Sequence, residues 1–105
     1  MATSGPGATN LITAIATSYY DSTSVLYITG NVATFRFGAP LGVRQYGFQE
    51  TDIASMVKKI TKYALTVVEP DQVIPCLQMC IMEMQSGRKG PGLIDIPDDV
   101  QRADI

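Results

Sequence analysis

Soon after the chain begins, Leu11, Ile12, Ile15, Ala16 and Tyr19 fall on one stripe, which predicts an amphipathic helix over residues 7 to 20 with one face on a sheet. Asp21 to Ser24 breaks the pattern. The run Val25-Leu26-Tyr27-Ile28-Thr29 is short, β-branched and nearly all apolar, so it reads as a strand buried on both faces and ended by Gly30. Residues 31 to 50, NVATFRFGAPLGVRQYGFQE, show no period. Glycines, a proline, two arginines and four aromatics make them a long loop of the kind that is usually functional or mobile. Asp52 is placed to cap a short helix through Val57, and residues 63 to 68 read as a strand, with Lys58, Lys59 and Lys62 between the two. A second helix is expected from Pro75 to Gly87, with Leu77, Cys80, Ile81 and Met84 as its stripe and Met79, Met82 and Met84 in the core. Leu93-Ile94-Asp95-Ile96 forms the last strand, stopped by Pro97.

Helices alternating with strands argue for an α/β fold with a mainly parallel sheet. With 105 residues, 46% hydrophobic and 17% charged, the chain suits one globular domain. A formal charge of −2 and a pI near 4.8 give no general attraction to nucleic acid or to anionic membranes. No apolar run approaches the roughly 20 residues needed to span a bilayer, and no basic-then-apolar leader opens the chain, so a cytoplasmic protein without membrane or nucleic-acid partners is expected. Cys76 and Cys80 lie four apart on the second helix and read as core thiols. With no histidine in the chain, a four-ligand zinc site is not expected.

The segment TSGPGATN, residues 3 to 10, puts a bare and rigid turn at a helix start. Such a turn exposes backbone N–H groups and lets another group approach closely. On its residues alone it reads either as a phosphate cradle or as a sharp turn capped by Thr3 or Ser4. The pattern is neither GxxxxGK[ST] nor GxGxxG.

Taken in order, TSGPGATN, YYDS, VLYITGNV, GFQETDI, MVKKITKY, SGRKGP and LIDIPDDVQ resemble the pyrimidine-binding (Pyr) domain of thiamine diphosphate enzymes, in the acetohydroxyacid synthase and pyruvate oxidase group. The resemblance implies a three-layer α/β/α Pyr-domain fold. It implies a cofactor lying between this domain and the diphosphate-binding (PP) domain of another subunit, which holds the diphosphate through magnesium. The Pyr domain faces the aminopyrimidine ring, so Pro6, Gly7 and Asn10 are expected beside that ring and Gln49 of GFQE toward the active-site cavity. The resemblance thereby replaces the phosphate cradle with a site for a flat heterocycle.

The family's activating glutamate belongs to a strand-helix unit upstream of the TSGPG turn. Residues 1 to 105 are therefore expected to be the C-terminal part of a Pyr domain, with no catalytic residue and no metal ligand of its own. The implied parent activity is a 2-oxo acid decarboxylase or carboligase of the acetolactate synthase kind. The chain alone is expected to be inactive, to retain no thiamine diphosphate and to pair as a dimer. The alternative is a non-catalytic remnant or self-associating module related to the thiamine diphosphate proteins of surface-polysaccharide biosynthesis, which the segment VRQYGFQETDIASMVKKITKYA resembles. Asn31-Val32-Ala33 stands where the synthase branch commonly has Gln-Val-Pro, and GRKGPGL departs from Gly-Arg-Pro-Gly-Pro-Val at Lys89 and Gly92.

Overall fold

The computed structural model describes residues 1–104. Its elements run α1 (Pro6–Thr9), α2 (Ile12–Tyr20), β1 (Leu26–Asn31), α3 (Ile53–Met56), β2 (Tyr63–Thr66), α4 (Val73–Gln85), β3 (Gly92–Pro97) and α5 (Asp98–Arg102). The three strands form an all-parallel sheet in the order β1-β3-β2. The last strand therefore enters the centre, and Gly92 through Asp95 are all buried. Successive strand residues point to opposite faces, so neighbouring Leu93 and Ile94 serve different layers. Leu93 joins Ile15, Tyr27, Ile53 and Val57 under α2 and α3. Ile94 joins Val67, Cys80, Met84 and Val100 under α4 and α5. This is the three-layer α/β/α arrangement with a parallel sheet that the residue pattern and the resemblance imply.

Several local expectations need correction. The helix over 7 to 20 is two helices: the Leu11 N–H reaches back only to the Ala8 carbonyl, and this tight turn separates α1 from α2. Strand β1 passes through Gly30 to Asn31 and is not buried on both faces. Tyr27, Thr29 and Asn31 are buried while Leu26, Ile28 and Gly30 are only half-covered, because α4 packs mainly on β2 and β3 and β1 reaches its layer through Leu26 at the margin. Strand β2 stops at Thr66, although the Val67 N–H still donates to the Asp95 carbonyl at 2.9 Å. Helix α4 begins at Val73, two residues before Pro75, whose ring is tolerated because first-turn N–H groups have no helical acceptor. Gly87, at φ 61°, follows the cap Ser86 as the pattern expects.

The sheet-facing stripe of α4 is Val73, Cys76, Cys80 and Met84. Met79 and Met82, expected in the core, are exposed, as is Ile81. One layer covers one face of a helix, and no described element covers the other. Gly92 explains how tightly that stripe sits: a methyl group there would overlap Cys80 Sγ and come within 2.9 Å of Met84 Sδ. At the opposite sheet edge, the Ala2 N–H donates to the Ile28 carbonyl at 3.0 Å and the Ala2 carbonyl accepts from the Gly30 N–H at 2.9 Å. The residue just before the TSGPG turn thus makes a parallel bridge to β1.

Candidate functional site

The TSGPG turn leaves the Ala2 bridge at the end of β1 where Gly30 and Asn31 lie. Gly5 adopts φ 63° and ψ −127°, a conformation that residues with a Cβ rarely enter. A Cβ at Gly5 would sit 2.8 Å from Gln49 Cβ and 3.0 Å from the Gln49 carbonyl oxygen. The turn therefore lies directly on the FQE segment, distant in sequence. Gln49 is exposed and itself left-handed, at φ 62°. Gly7 is bare for a different reason, since a Cβ there would meet the Thr3 methyl at 2.7 Å. Neither Thr3 nor Ser4 caps the helix: α1 starts from Gly5 without a side-chain cap.

The structure brings the Gly5-Pro6 turn and Gln49 together. Asn10 lies one helical turn past Pro6, with its N–H on the Pro6 carbonyl at 3.0 Å. The side chains of Pro6, Asn10 and Gln49 face solvent and Gly7 is half-buried. The Gly5-Pro6 backbone and Gln49 thus share one surface, with Asn10 one helical turn further along α1.

Next to this surface lies a polar cluster that the residue pattern alone did not reveal. Asp95, at the carboxyl end of central β3, is fully buried. Its carboxylate accepts from Thr29 Oγ1 at 2.6 Å, from Asn31 Nδ2 at 2.8 Å and from Thr66 Oγ1 at 3.1 Å. Register makes this assembly: Thr29 and Thr66 are the residues paired with Asp95 on either side. Burial pushes the Asp95 carboxyl above the ordinary carboxylate range; the three hydrogen bonds oppose this, and the nearby Asp52 charge adds to it. Asn31 Nδ2 also donates to the Thr51 carbonyl at 2.9 Å, and its Oδ1 accepts from the Val32 N–H at 2.8 Å. One side chain so joins the sheet to both ends of the long loop. The signal for the cluster was a charged residue inside the apolar run LIDI.

Two further carboxylates shape the loop. Glu50 accepts from the backbone N–H groups of Gly38 and Tyr46, both at 2.8 Å, and more weakly from that of Gly47. Partial burial works against the charge, but these backbone N–H groups hold the Glu50 carboxyl below its usual range. Asp99 of α5 accepts from the N–H and the hydroxyl of Thr34 and is likewise held low, against the desolvation that would raise it. A cavity of about 200 Å³ opens between these parts, lined by Asn31, Phe37, Glu50, Thr51, Asp52 and Thr66 among others. It lies at the carboxyl ends of the strands, where open parallel sheets place their ligands.

Comparison with known proteins matches residues 1–56 to the family model of the thiamine pyrophosphate enzyme, N-terminal TPP binding domain. The chain belongs to the thiamine diphosphate enzyme family, as part of its N-terminal cofactor-binding domain. Among curated proteins it is 45% identical over 105 residues to an acetolactate synthase of Arthrospira platensis, covering all of this chain and 17% of that protein. It is 40% identical over 102 residues to acetolactate synthase 1, chloroplastic, of Zea mays, covering 97% of this chain and 15% of that one. It is 39% identical over 105 residues to a probable acetolactate synthase large subunit of Methanocaldococcus jannaschii, again across the whole chain and 17% of the relative. The chain thus spans well under a quarter of the length of these relatives. No helix among the described residues is long and apolar enough to cross a membrane.

Proposed function

We propose that this chain forms the aminopyrimidine-side wall of a thiamine diphosphate site in an acetolactate synthase-like 2-oxo acid decarboxylase or carboligase. The observation that carries the reading is the packing of Gly5 on Gln49, which joins two sequence-distant motifs into one exposed surface. Pro6, Gly7, Asn10 and Gln49 are the residues assigned to it. When bound, thiamine diphosphate supplies the carbon nucleophile and electron sink that 2-oxo acid decarboxylation needs. This chain's part is to orient the ring: the Gly5 turn fixes the backbone, the carboxamides of Asn10 and Gln49 offer hydrogen bonds, and the Asp95 cluster holds the loop end that carries Gln49. The magnesium and diphosphate ligands are assigned to a PP domain, so the chain alone is expected to be inactive. A cytoplasmic location is part of the same proposal.

The test exchanges these 105 residues for the matching segment of the Arthrospira platensis acetolactate synthase. The chimera is expected to form acetolactate, and Gln49→Ala within it to raise the thiamine diphosphate requirement about tenfold, the worth of roughly one well-placed hydrogen bond to a charged or polarised partner. An active chimera whose cofactor requirement is unmoved by both Asn10→Ala and Gln49→Ala would overturn the assignment. By calorimetry the unmodified chain is expected to show no saturable heat with thiamine diphosphate at micromolar concentration; such heat would refute the division of labour between the domains.

A further inference from the structure

In a parallel sheet every strand starts at one end, and here that end is strongly cationic. Lys58 and Lys59 lead into β2, Lys62 immediately precedes it, and Arg88 and Lys89 precede β3. Most acids gather at the other end, where Glu50, Asp52, Glu69, Asp71, Asp95, Asp98 and Asp99 lie at or beyond strand ends with Arg36, Arg44 and Arg102 among them, while Asp21 and Glu83 remain at the cationic end. The sequence shows only a net charge of −2. Between the cationic loops opens a cleft of about 270 Å³ lined by Tyr19, Tyr20, Lys62, Arg88 and Lys89.

The cations of this cleft are positioned, and although Asp21 stands in the chain between Tyr20 and Ser22, no carboxylate among the described residues comes within ion-pair distance of them. Lys62 Nζ donates to the carbonyls of Ser86 at 2.7 Å and Arg88 at 3.0 Å, which leaves one of its three donors free. Arg88 Nε donates to Ser22 Oγ at 2.6 Å and Nη2 reaches the Tyr20 carbonyl at 3.5 Å, leaving the rest of the guanidinium fork available. Ser22 holds a left-handed backbone at φ 57°, where glycine would be unstrained. Its hydroxyl is what orients the guanidinium. Gly90 is bare because a Cβ there would meet the Lys62 stem at 2.9 Å, so the lysine lies along the cleft floor. Among the described residues none of the three cations forms an ion pair; the one pair found is Arg102–Asp98, on α5. Capping of helix ends accounts for two of the contacts but not for Lys89, nor for the unused donors that converge on the cleft.

We propose that this cleft binds a compact dianion of the phosphate or phosphate-monoester class, at the end of the sheet opposite the cofactor-facing surface. Three positive charges against the one carboxylate of neighbouring Asp21 leave an excess of two, which matches a dianion, a planar fork matches phosphate oxygens, and the volume admits a phosphate with a small substituent against the tyrosine rings. The strands, about 3.3 Å per residue, separate it from Gln49 by roughly 20 Å. It is therefore a second site and does not depend on the cofactor assignment.

The test titrates the full chain with inorganic phosphate and with phenyl phosphate at matched ionic strength, following backbone amide resonances. Saturable shifts are expected at Lys62, Arg88, Lys89 and Gly90, and none at Gly5, Asn10 or Gln49. Tighter binding of phenyl phosphate would identify a monoester, and equal binding the free ion; both outcomes support the site. Lys89→Gln, which removes no side-chain hydrogen bond or ion pair found among the described residues, is expected to weaken binding about threefold, and Arg88→Gln with Lys89→Gln about tenfold or more. A linear response equal to that of sodium chloride, affinity unchanged in the double variant, or shifts centred on Gly5 and Gln49 would each overturn the proposal.

Discussion

Protonating Glu50 and protonating Asp95 move stability in opposite directions. Glu50 is held below its unfolded value, so its contribution is present above the ordinary carboxylate range and is lost as pH falls through the folded value. Asp95 is raised, so its contribution is complete in acid and declines as pH rises through its folded value. The long loop is therefore the acid-sensitive part and the strand-end cluster is not. Glu50→Gln is expected to lower amide protection of Gly38, Tyr46 and Gly47 at neutral pH, because a side-chain NH₂ then faces a backbone donor. The further loss of protection at these three amides that the wild type suffers as pH falls below the ordinary carboxylate range should be absent in the variant, while Thr34, held by Asp99, stays acid-sensitive; hydrogen-exchange protection factors check both. At this scale the sequence was legible where the chemistry is local. Asp52 was expected to cap α3, and its Oδ1 accepts from the Ser55 N–H at 3.3 Å. Asp95 could be seen only as an oddity in a strand, because its partners Thr29, Asn31 and Thr66 come together through sheet register, which no local pattern encodes. The packing of Gly5 on Gln49 is long-range in the same sense.

Element by element, periodicity revealed where strands and helices lie but not what covers them. The apolar run 25 to 29 resembles a strand buried on both faces, yet β3 takes the central place because the connections order the sheet β1-β3-β2. Likewise α4 has apolar residues all round, and only tertiary packing selects Cys80 and Met84 over Met79 and Met82. The pairing of α4 with β3 turns the family departure at Gly92 into a packing requirement: the two sulfur-bearing side chains occupy the space a valine would fill. Gly92→Ala is expected to lower stability by about 1–3 kcal/mol, the usual cost of overpacking a filled core. Chemical denaturation with an unchanged slope would measure it. The double variant Gly92→Ala with Cys80→Ala should recover part of the loss, since the volume removed lies where the methyl enters.

For the whole molecule, the described residues leave β2 without an outer neighbour and pair β1's outer edge only at Ala2. Phe35, Tyr46, Phe48, Ile74 and Met82 add exposed apolar surface, worth about 25 cal/mol for each Å² that association covers. A dimer, the commonest closed pairing, is the expected state, and light scattering across a hundredfold dilution range checks it; a folded monomer throughout would refute it. Charge is distributed as unevenly as apolar surface. Because the segments leading into β2 and β3 are cationic and those following them are mainly acidic, the charge is polarised along these two strands, whatever the net charge. Near any charged matrix the molecule turns before it touches, presenting the Arg88 end to anions and the Asp98 end to cations. An average such as the pI, near 4.8, therefore describes neither end of the molecule.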